Sequence, residues 1–423
     1  MTKTTRPVAT EPTSVRSEPT SVRTEPTSFR IETTPVRSEP TSVRAEPVEA
    51  LTNRRHLLIA TAGALAFPGI HAQTPHRPGD ALQPRPLVFP RDHGTHNDTR
   101  TEWWYLTGHA QDEKGRAFGF QVTFFRSRVD GTQALKSRLA AKHLLFAHAA
   151  ITDVQSGQLL HDQRMARWNG EPPTQTERGV FASEADTRVV LRDWHIERAP
   201  DGRYTARIGG DKLNIDLTAQ PQQAWLLQGD QGFSRKGPDA SQASFYVSQP
   251  HLAVKGTLGI GRQRFDVTGT AWLDHEWSEA LLHPEAVGWD WIGMNLFDGH
   301  SLTAFQLRRA DGSKVWAGGS FRAAGSAQSP NDIVRFRPGE VDFKPQRYWT
   351  SPLTRAKYPV EWRIRTPTDV YTVKAVIDPQ ELDGRQGTGT VYWEGLSDLF
   401  ASNGQRVGRG YLEMTGYAQR LVL

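Results

Sequence analysis

The stretch Trp272-Leu273-Asp274-His275-Glu276-Trp277, with Gly288-Trp289-Asp290-Trp291 soon after it, places four Trp residues among acids within twenty residues. A related cluster, Thr101-Glu102-Trp103-Trp104-Tyr105, lies much earlier in the chain. Bringing carboxylates and Trp side chains together costs free energy unless each polar atom finds a partner. The two clusters therefore predict two edges of one aromatic, acid-lined pocket. The alternative is that the Trp residues fill a barrel core and the acids cap it.

The composition favours a turn-rich all-β protein. The chain has 423 residues, 37 Gly, 27 Pro and 37% hydrophobic residues, which suits short strands and many turns. Its length is sufficient for two or three domains. The formal net charge is only +5, so no nucleic-acid partner is predicted. The chain has no Cys, and this excludes disulfides, thiolate catalysis and Cys-based metal sites.

Residues 1–50 form a low-complexity repeat tract. The unit Glu-Pro-Thr-Ser-Val-Arg recurs about every seven residues, but Pro in nearly every unit excludes a coiled coil. With so few apolar residues, the tract is predicted to be disordered. An export signal belongs at an N-terminus, so we expect the true translation start nearer Val48 or Leu51.

Residues 51–72 are predicted to be a twin-arginine-like export signal. Arg54-Arg55 precedes an apolar run at 57–67, and Ala72 offers a cleavage position. The run is too short to cross a bilayer of about 30 Å as a helix. We therefore expect cleavage near Ala72, a linker at 73–86 and a periplasmic or secreted product.

From residue 87 onward the pattern is one of alternating strands separated by tight turns. Hairpin signals include Asp112-Glu113-Lys114-Gly115 and the turns Asp298-Gly299 and Asp311-Gly312. Strands of this length close most readily into barrels, which remove sheet edges. The prediction is all-β, with two tandem antiparallel β-barrel domains at 87–280 and 281–423. The acid–aromatic stretch would then lie on the seam between barrels, where ligand sites are common.

Several blocks resemble the AttH-like family, which includes the carotenoid 1,2-hydratases (hydroxyneurosporene synthases). They lie at residues 89–94, 101–108, 118–126, 269–277 and 288–291. The resemblance implies two lipocalin-like barrels and an export signal. In the hydratase branch it implies catalytic importance for His275, Trp277 and a nearby acid, for which Asp290 is the expected residue.

Hydration of an isolated alkene needs a protonated acid, an aromatic face for the resulting cation, and a base for water. Burial among Trp residues would raise the pKa of Asp274 or Asp290 and suit either for the acid. A Trp face stabilises a desolvated cation by about 2 kcal/mol. His275, oriented by Glu276 or Asp274, would be the base, although a hydrogen-bonded structural His is the alternative. No metal or other cofactor is expected, and Asp92, His96 and Asp98 are interpreted as a self-satisfied turn.

Two functions remain open at this point. The favoured hypothesis is an exported protein that binds a hydrophobic lipid or isoprenoid ligand, with a membrane-associated transport component as a candidate partner. The alternative is a cofactor-free carotenoid 1,2-hydratase. The predicted ligand-binding residues are Glu102, Trp103, Trp104, Tyr105, Glu276, Trp289 and Trp291, and the predicted catalytic residues are Asp274, His275, Trp277 and Asp290.

Overall fold

The computed structural model describes residues 77–172, 179–326, 328–329, 332–385 and 389–421. The repeat tract, the predicted export signal and residues 73–76 of the predicted linker lie outside them. The described residues contain no α-helix, only three 3₁₀ turns at Arg91–His93, Asp130–Thr132 and Ala324–Ser326. Consistent with this, no helix among them is long and apolar enough to cross a membrane.

The first sheet is antiparallel, with thirteen strands in the order β4-β3-β2-β1-β13-β12-β9-β8-β7-β6-β5, while β10 and β11 also pair with β12. Its end strands β4 and β5 contact each other, so the sheet forms a nearly closed barrel. The strands are β1 (Thr101–Asp112), β2 (Ala117–Arg128), β3 (His143–Asp153), β4 (Gln158–Trp168), β5 (Val180–Ala182), β6 (Arg188–Leu191), β7 (Trp194–Arg198), β8 (Tyr204–Ile208), β9 (Leu213–Pro221), β10 (Leu226–Leu227), β11 (Phe233–Arg235), β12 (Ala243–Ile260) and β13 (Gln263–Ser278).

The second sheet has ten strands and forms a half-barrel in the order β17-β16-β15-β14-β23-β22-β20-β19-β18, with β21 paired to β22. Its strands are β14 (Gly288–Leu296), β15 (Ser301–Arg308), β16 (Lys314–Arg322), β17 (Val334–Phe336), β18 (Asp342–Thr350), β19 (Lys357–Arg365), β20 (Val370–Ala375), β21 (Glu381–Asp383), β22 (Val391–Phe400) and β23 (Arg406–Met414). The all-β prediction with tandem lipocalin-like barrels is thus confirmed.

Both faces of β13 are buried over residues 271–278, and this arrangement positions the site. Successive side chains of a strand point to opposite faces. Leu273 belongs to the apolar core inside the first barrel, whereas Trp272 packs with Trp291 and Phe305 of the second sheet. The outer face of β13 is therefore covered by the second sheet, and polar residues on that face lie in the seam between the two sheets.

The seam is closely packed and hydrogen-bonded. The Asn295 side-chain amide donates to the Ala271 carbonyl at 3.0 Å, and the Thr152 hydroxyl donates to the Gln380 side chain at 2.9 Å. A Cβ at Gly119 would lie 2.7 Å from the Tyr411 hydroxyl, so the close approach of the sheets there requires Gly. The two barrels consequently share one apolar interface.

A chain truncated after Glu279 is expected to be insoluble or to lose cooperative unfolding. Removing the second sheet would expose Tyr105, Leu226 and Trp272, which pack in the seam, and large exposed apolar patches promote aggregation. Solubility and thermal unfolding by circular dichroism, compared with the chain from residue 73 to 423, measure the effect. A soluble fragment that unfolds cooperatively would show that the first barrel is independent.

Candidate functional site

A cavity of about 310 Å³ lies in the seam, with walls from both sheets. This seam cavity is large enough for one small ligand. Its lining is mainly aromatic and aliphatic, including Trp103, Phe125, Phe146, Leu144, Met165, Leu281, Leu282, Trp289, Trp291, Phe305 and Leu307. The polar lining is concentrated in acids and Tyr residues, namely Tyr105, Tyr246, Asp274, Glu276, Tyr392, Glu394 and Glu413, together with Lys236.

The structure brings the two predicted clusters together. Strands β1 and β13 pair so that Trp103 lies opposite Glu276 and Tyr105 lies opposite Asp274. All four residues line the seam cavity, as do the predicted Glu102, Trp289 and Trp291. The shared pocket expected from the sequence thus exists, while the role of each residue in it stays a prediction.

Three predicted residues lie on the opposite face of the sheet. The side chains of Trp104, His275 and Trp277 point into the end of the first barrel, because each is one position away from a cavity-facing residue. The Trp104 ring stacks on His275 at 4.8 Å, and the Trp277 ring stacks on His96 at 3.7 Å. None of the three lines the seam cavity, so the structure does not place the predicted base His275 next to a ligand there.

Asp290 is also separated from the seam cavity. It lies between Trp289 and Trp291, which face the cavity, so its own side chain points the other way. The carboxylate is fully buried and pairs with Arg308 at 3.2 Å. It also accepts hydrogen bonds from Gln306 at 2.8 Å and Tyr417 at 2.9 Å. The structure therefore places the expected catalytic acid in an ion pair inside the second barrel, away from the seam cavity, and its catalytic role stays a prediction.

Glu102 is the centre of a buried polar cluster at the end of the first barrel. Its carboxylate accepts hydrogen bonds from Thr95 at 2.6 Å and Arg126 at 2.9 Å, and the rings of His96 and His275 each contact it at 2.9 Å. Burial opposes ionisation, but Arg126 and the two His rings outweigh it and hold the pKa of Glu102 well below its usual range. Although Glu102 borders the seam cavity, its carboxylate is fully engaged inside the barrel.

His96, Glu102 and His275 are the candidate metal ligands in the described part of the chain, since one atom of each lies within 4.8 Å of the others. The geometry does not suit a metal. The two ring nitrogens of His96 already face carboxylate oxygens, Asp92 at 3.0 Å and Glu102 at 2.9 Å, so hydrogen-bond partners occupy the positions from which either nitrogen would bind a metal. The Arg126 guanidinium already balances the charge of Glu102.

Asp274 is a buried residue on the cavity wall, and its carboxyl oxygens accept three hydrogen bonds. Tyr246 donates at 2.7 Å, Ser248 at 2.6 Å and the Trp272 indole at 2.7 Å. Burial nevertheless outweighs these hydrogen bonds and raises the pKa of Asp274 to about 7. The Trp291 indole donates to the Tyr246 hydroxyl at 2.9 Å, so a continuous hydrogen-bonded chain connects the cavity wall to Asp274.

Two further acids on the opposite wall were not identified from the sequence. Glu394 on β22 and Glu413 on β23 lie opposite each other in adjacent strands. Burial raises the pKa of Glu413 to about 8, and burial together with Glu413 raises the pKa of Glu394 well above its usual value. The sequence feature that could have identified these two acids is a lone acid within an apolar run. It occurs in Tyr392-Trp393-Glu394-Gly395-Leu396 and in Tyr411-Leu412-Glu413-Met414.

The arrangement combines a ligand-sized aromatic cavity with Asp274, Glu394 and Glu413, whose pKa values are raised by burial. Glu276 has a cationic partner, because the Lys236 ammonium pairs with it at 2.9 Å. The same ammonium lies 4.3 Å from the Phe305 ring centroid and 4.6 Å from that of Tyr246. The cavity is therefore equipped to bind an apolar molecule, to stabilise positive charge on ring faces, and to move protons.

Comparisons with known proteins agree with this architecture. The AttH-like family model matches residues 80–417. An AttH crystal structure from Nitrosomonas europaea is 43% identical with a TM-score of 0.70, covering 81% of this chain and 99% of that one. Kievitone hydratase from Nectria haematococca is 13% identical with a TM-score of 0.58, covering 82% and 98%. A search of curated proteins found no match. The resemblance noted in the sequence is confirmed: the chain belongs to the AttH-like family.

Proposed function

We propose that the protein is a cofactor-free hydro-lyase that adds water to a carbon–carbon double bond of an apolar ligand in the seam cavity. The observation that carries the proposal is a pair of cavity acids, the buried Asp274 and the half-buried Glu413, whose pKa values are raised to about 7 and about 8. Buried carboxyl groups cost free energy, and raised carboxyl pKa values are typical of sites that transfer protons.

Glu413 is the proposed proton donor. Burial keeps its carboxyl group protonated at neutral pH, and the side chain retains partial exposure where it lines the cavity. Asp274, in contrast, is 3% exposed and its oxygens already accept three hydrogen bonds. A ligand in the cavity would therefore meet the Glu413 proton more directly than one on Asp274.

The aromatic wall would stabilise the cation that protonation leaves behind. Trp103, Trp289 and Trp291 line the cavity, and a desolvated cation over such a ring gains about 2 kcal/mol. The contacts of the Lys236 ammonium with the rings of Phe305 and Tyr246 support this role, because they place a positive charge against the same wall.

Asp274 is the proposed base. Water attacks the cationic carbon, and its proton passes to the Asp274 carboxylate directly or through the Tyr246 hydroxyl, which hydrogen-bonds to it. One new C–H bond then carries the Glu413 proton and one new C–O bond carries the water oxygen. Asp274 releases its proton to solvent and Glu413 takes one up, so the net change is addition of one water.

Binding of a hydrophobic ligand without turnover is the second candidate. The aromatic wall supports it as well as the first, but it gives no reason for several buried acids on that wall. Kievitone hydratase shares the fold at 13% identity, and a likeness of that size concerns the fold alone, so the carboxyl groups carry the proposal. Export, periplasmic location and a membrane-associated partner stay predictions.

The rate of hydration is expected to have a bell-shaped dependence on pH. Asp274 must be ionised, so kcat/KM should fall below a pH of about 7, and Glu413 must be protonated, so it should fall again above a pH of about 8. The test is conversion of the acyclic isoprenoid ketone geranylacetone to its hydrated product, measured by mass spectrometry at successive pH values. A rate that rises continuously from acidic to alkaline pH would contradict the assignment.

A further inference from the structure

We propose that Tyr105 and Glu394 form a subsite of two uncharged donors that binds a carbonyl oxygen of the ligand. This carbonyl subsite lies in the same cavity as the proposed reaction and deepens that proposal, because it names the substrate class as apolar alkenyl ketones or aldehydes. The binding claim itself requires no turnover, so it can be tested separately.

The two side chains come from different sheets and meet in the seam. Tyr105 is on β1 and Glu394 is on β22, and both line the cavity. They are 6% and 2% exposed, respectively. The Tyr105 hydroxyl and the Glu394 carboxyl group lie next to each other and interact, but within the described part of the chain neither the hydroxyl oxygen nor Glu394 Oε1 has a hydrogen-bond partner of normal geometry. A buried polar group without a well-formed hydrogen bond costs free energy, so both atoms would gain from a ligand acceptor placed between them.

The hydrogen bonds that do exist direct the Glu394 proton towards the cavity. Glu394 Oε2 accepts from the Gln121 amide at 2.6 Å, and that amide also donates to Thr123 at 2.9 Å. Because Oε2 is an acceptor, the carboxyl proton belongs on Oε1. Burial and the neighbouring Glu413 raise the pKa of Glu394, and burial and Glu394 raise that of Tyr105. Both shifts favour the uncharged forms, in which each group carries its hydrogen.

Two O–H donors side by side select for an acceptor. A carbonyl oxygen has two lone pairs and no hydrogen, so it can accept from both groups at once. An alcohol accepts equally but leaves its own hydrogen without a partner in a buried site, which costs free energy. An anion would also accept from both donors, but burying its charge in this mainly apolar cavity costs desolvation free energy. The chemistry therefore favours a neutral ketone or aldehyde.

The probes are geranylacetone and the alcohol obtained from it by reduction, and affinity is measured by quenching of Trp fluorescence. We expect the ketone to bind more tightly than the alcohol. Tyr105→Phe and Glu394→Met should each weaken ketone binding by about tenfold, because each removes one hydrogen bond, and should change alcohol binding by less than about threefold. Tyr371→Phe is the matched control, because Tyr371 is buried in the core of the second barrel outside the seam cavity, where its hydroxyl contacts Thr368, and it should preserve the ketone preference.

Infrared spectroscopy provides a second readout that does not depend on affinity. The carbonyl stretch of bound geranylacetone should lie at lower frequency in the wild-type protein than in Tyr105→Phe, because two hydrogen bonds weaken the C=O bond. Equal affinities and equal frequencies in the wild type and Tyr105→Phe would overturn the subsite. A protein that is inactive but still prefers the ketone would contradict the proposed hydration and leave the carbonyl subsite standing. A protein that is active but shows no ketone preference would contradict the carbonyl subsite and leave the proposed hydration standing.

Discussion

Glu413→Gln is expected to lower turnover of an acyclic isoprenoid by about 10²–10⁴-fold while changing ligand affinity by less than about threefold. The amide retains the shape of the carboxyl group but cannot deliver its proton to carbon. A loss confined to kcat is characteristic of an interaction made in the transition state. Single-turnover rates and fluorescence quenching on the same protein would separate chemistry from binding.

Controls for Glu413→Gln follow from the environment of the side chain. Glu113→Gln alters an exposed Glu in the turn between β1 and β2 and should leave turnover and ligand affinity unchanged.

The raised pKa of Glu413 means that the folded protein binds more protons than the unfolded chain between the usual value of 4.5 and about 8. Wild-type stability should therefore fall as pH rises through that window. Glu413→Gln lacks this loss, so reduced turnover in a variant that is more stable at alkaline pH cannot be attributed to misfolding. A variant with wild-type turnover would show that another acid supplies the proton.

Glu102→Gln is expected to destabilise the fold by about 3–5 kcal/mol, because it leaves a fully buried Arg126 guanidinium without its carboxylate. The same change removes the acceptor shared by His96 and His275. The free energy of unfolding in urea measures the loss. Glu197→Gln, which breaks the half-exposed pair with Arg188, is the matched control and should cost less than about 1 kcal/mol.

A second change distinguishes a charge effect from a packing effect at Glu102. Adding Arg126→Met to Glu102→Gln removes the unpaired cation and should recover part of the lost stability, because replacing a whole buried ion pair costs less than breaking it. A Glu102→Gln protein as stable as the wild type would contradict the structural role of the cluster. It would also reopen the question of whether His275 and Trp277 serve chemistry instead of folding.

Local patterning was sufficient to predict the fold and the seam. Period-two alternation indicated strands in the segments that became β1, β2, β13 and β14, and the acid–aromatic clusters indicated where two barrels meet. The same period also indicates which of the predicted site residues share a face of the sheet. In Asp274-His275-Glu276-Trp277 and in Trp289-Asp290-Trp291, alternate residues face opposite ways, so Asp290 cannot share a pocket with its two Trp neighbours.

Long-range register explains what the sequence did not reveal. Glu394 and Glu413 reach the cavity because β22 pairs with β23, and β23 pairs with β14, more than a hundred residues away in the chain. Lys236 and Tyr246 reach the cavity from the segment around β11 and β12. Pairing between distant strands is set by the folded register, and no local motif in these segments specifies it.

Isotope transfer from solvent tests the central claim most directly. Purified protein is incubated with geranylacetone in water labelled with heavy oxygen and deuterium, and the product is analysed by mass spectrometry. Hydration in the seam cavity predicts one heavy oxygen and one deuterium on adjacent carbons in the wild-type product, and neither label above background with Glu413→Gln. Saturable binding of geranylacetone without label incorporation by the wild-type protein would contradict hydration and leave ligand binding as the function.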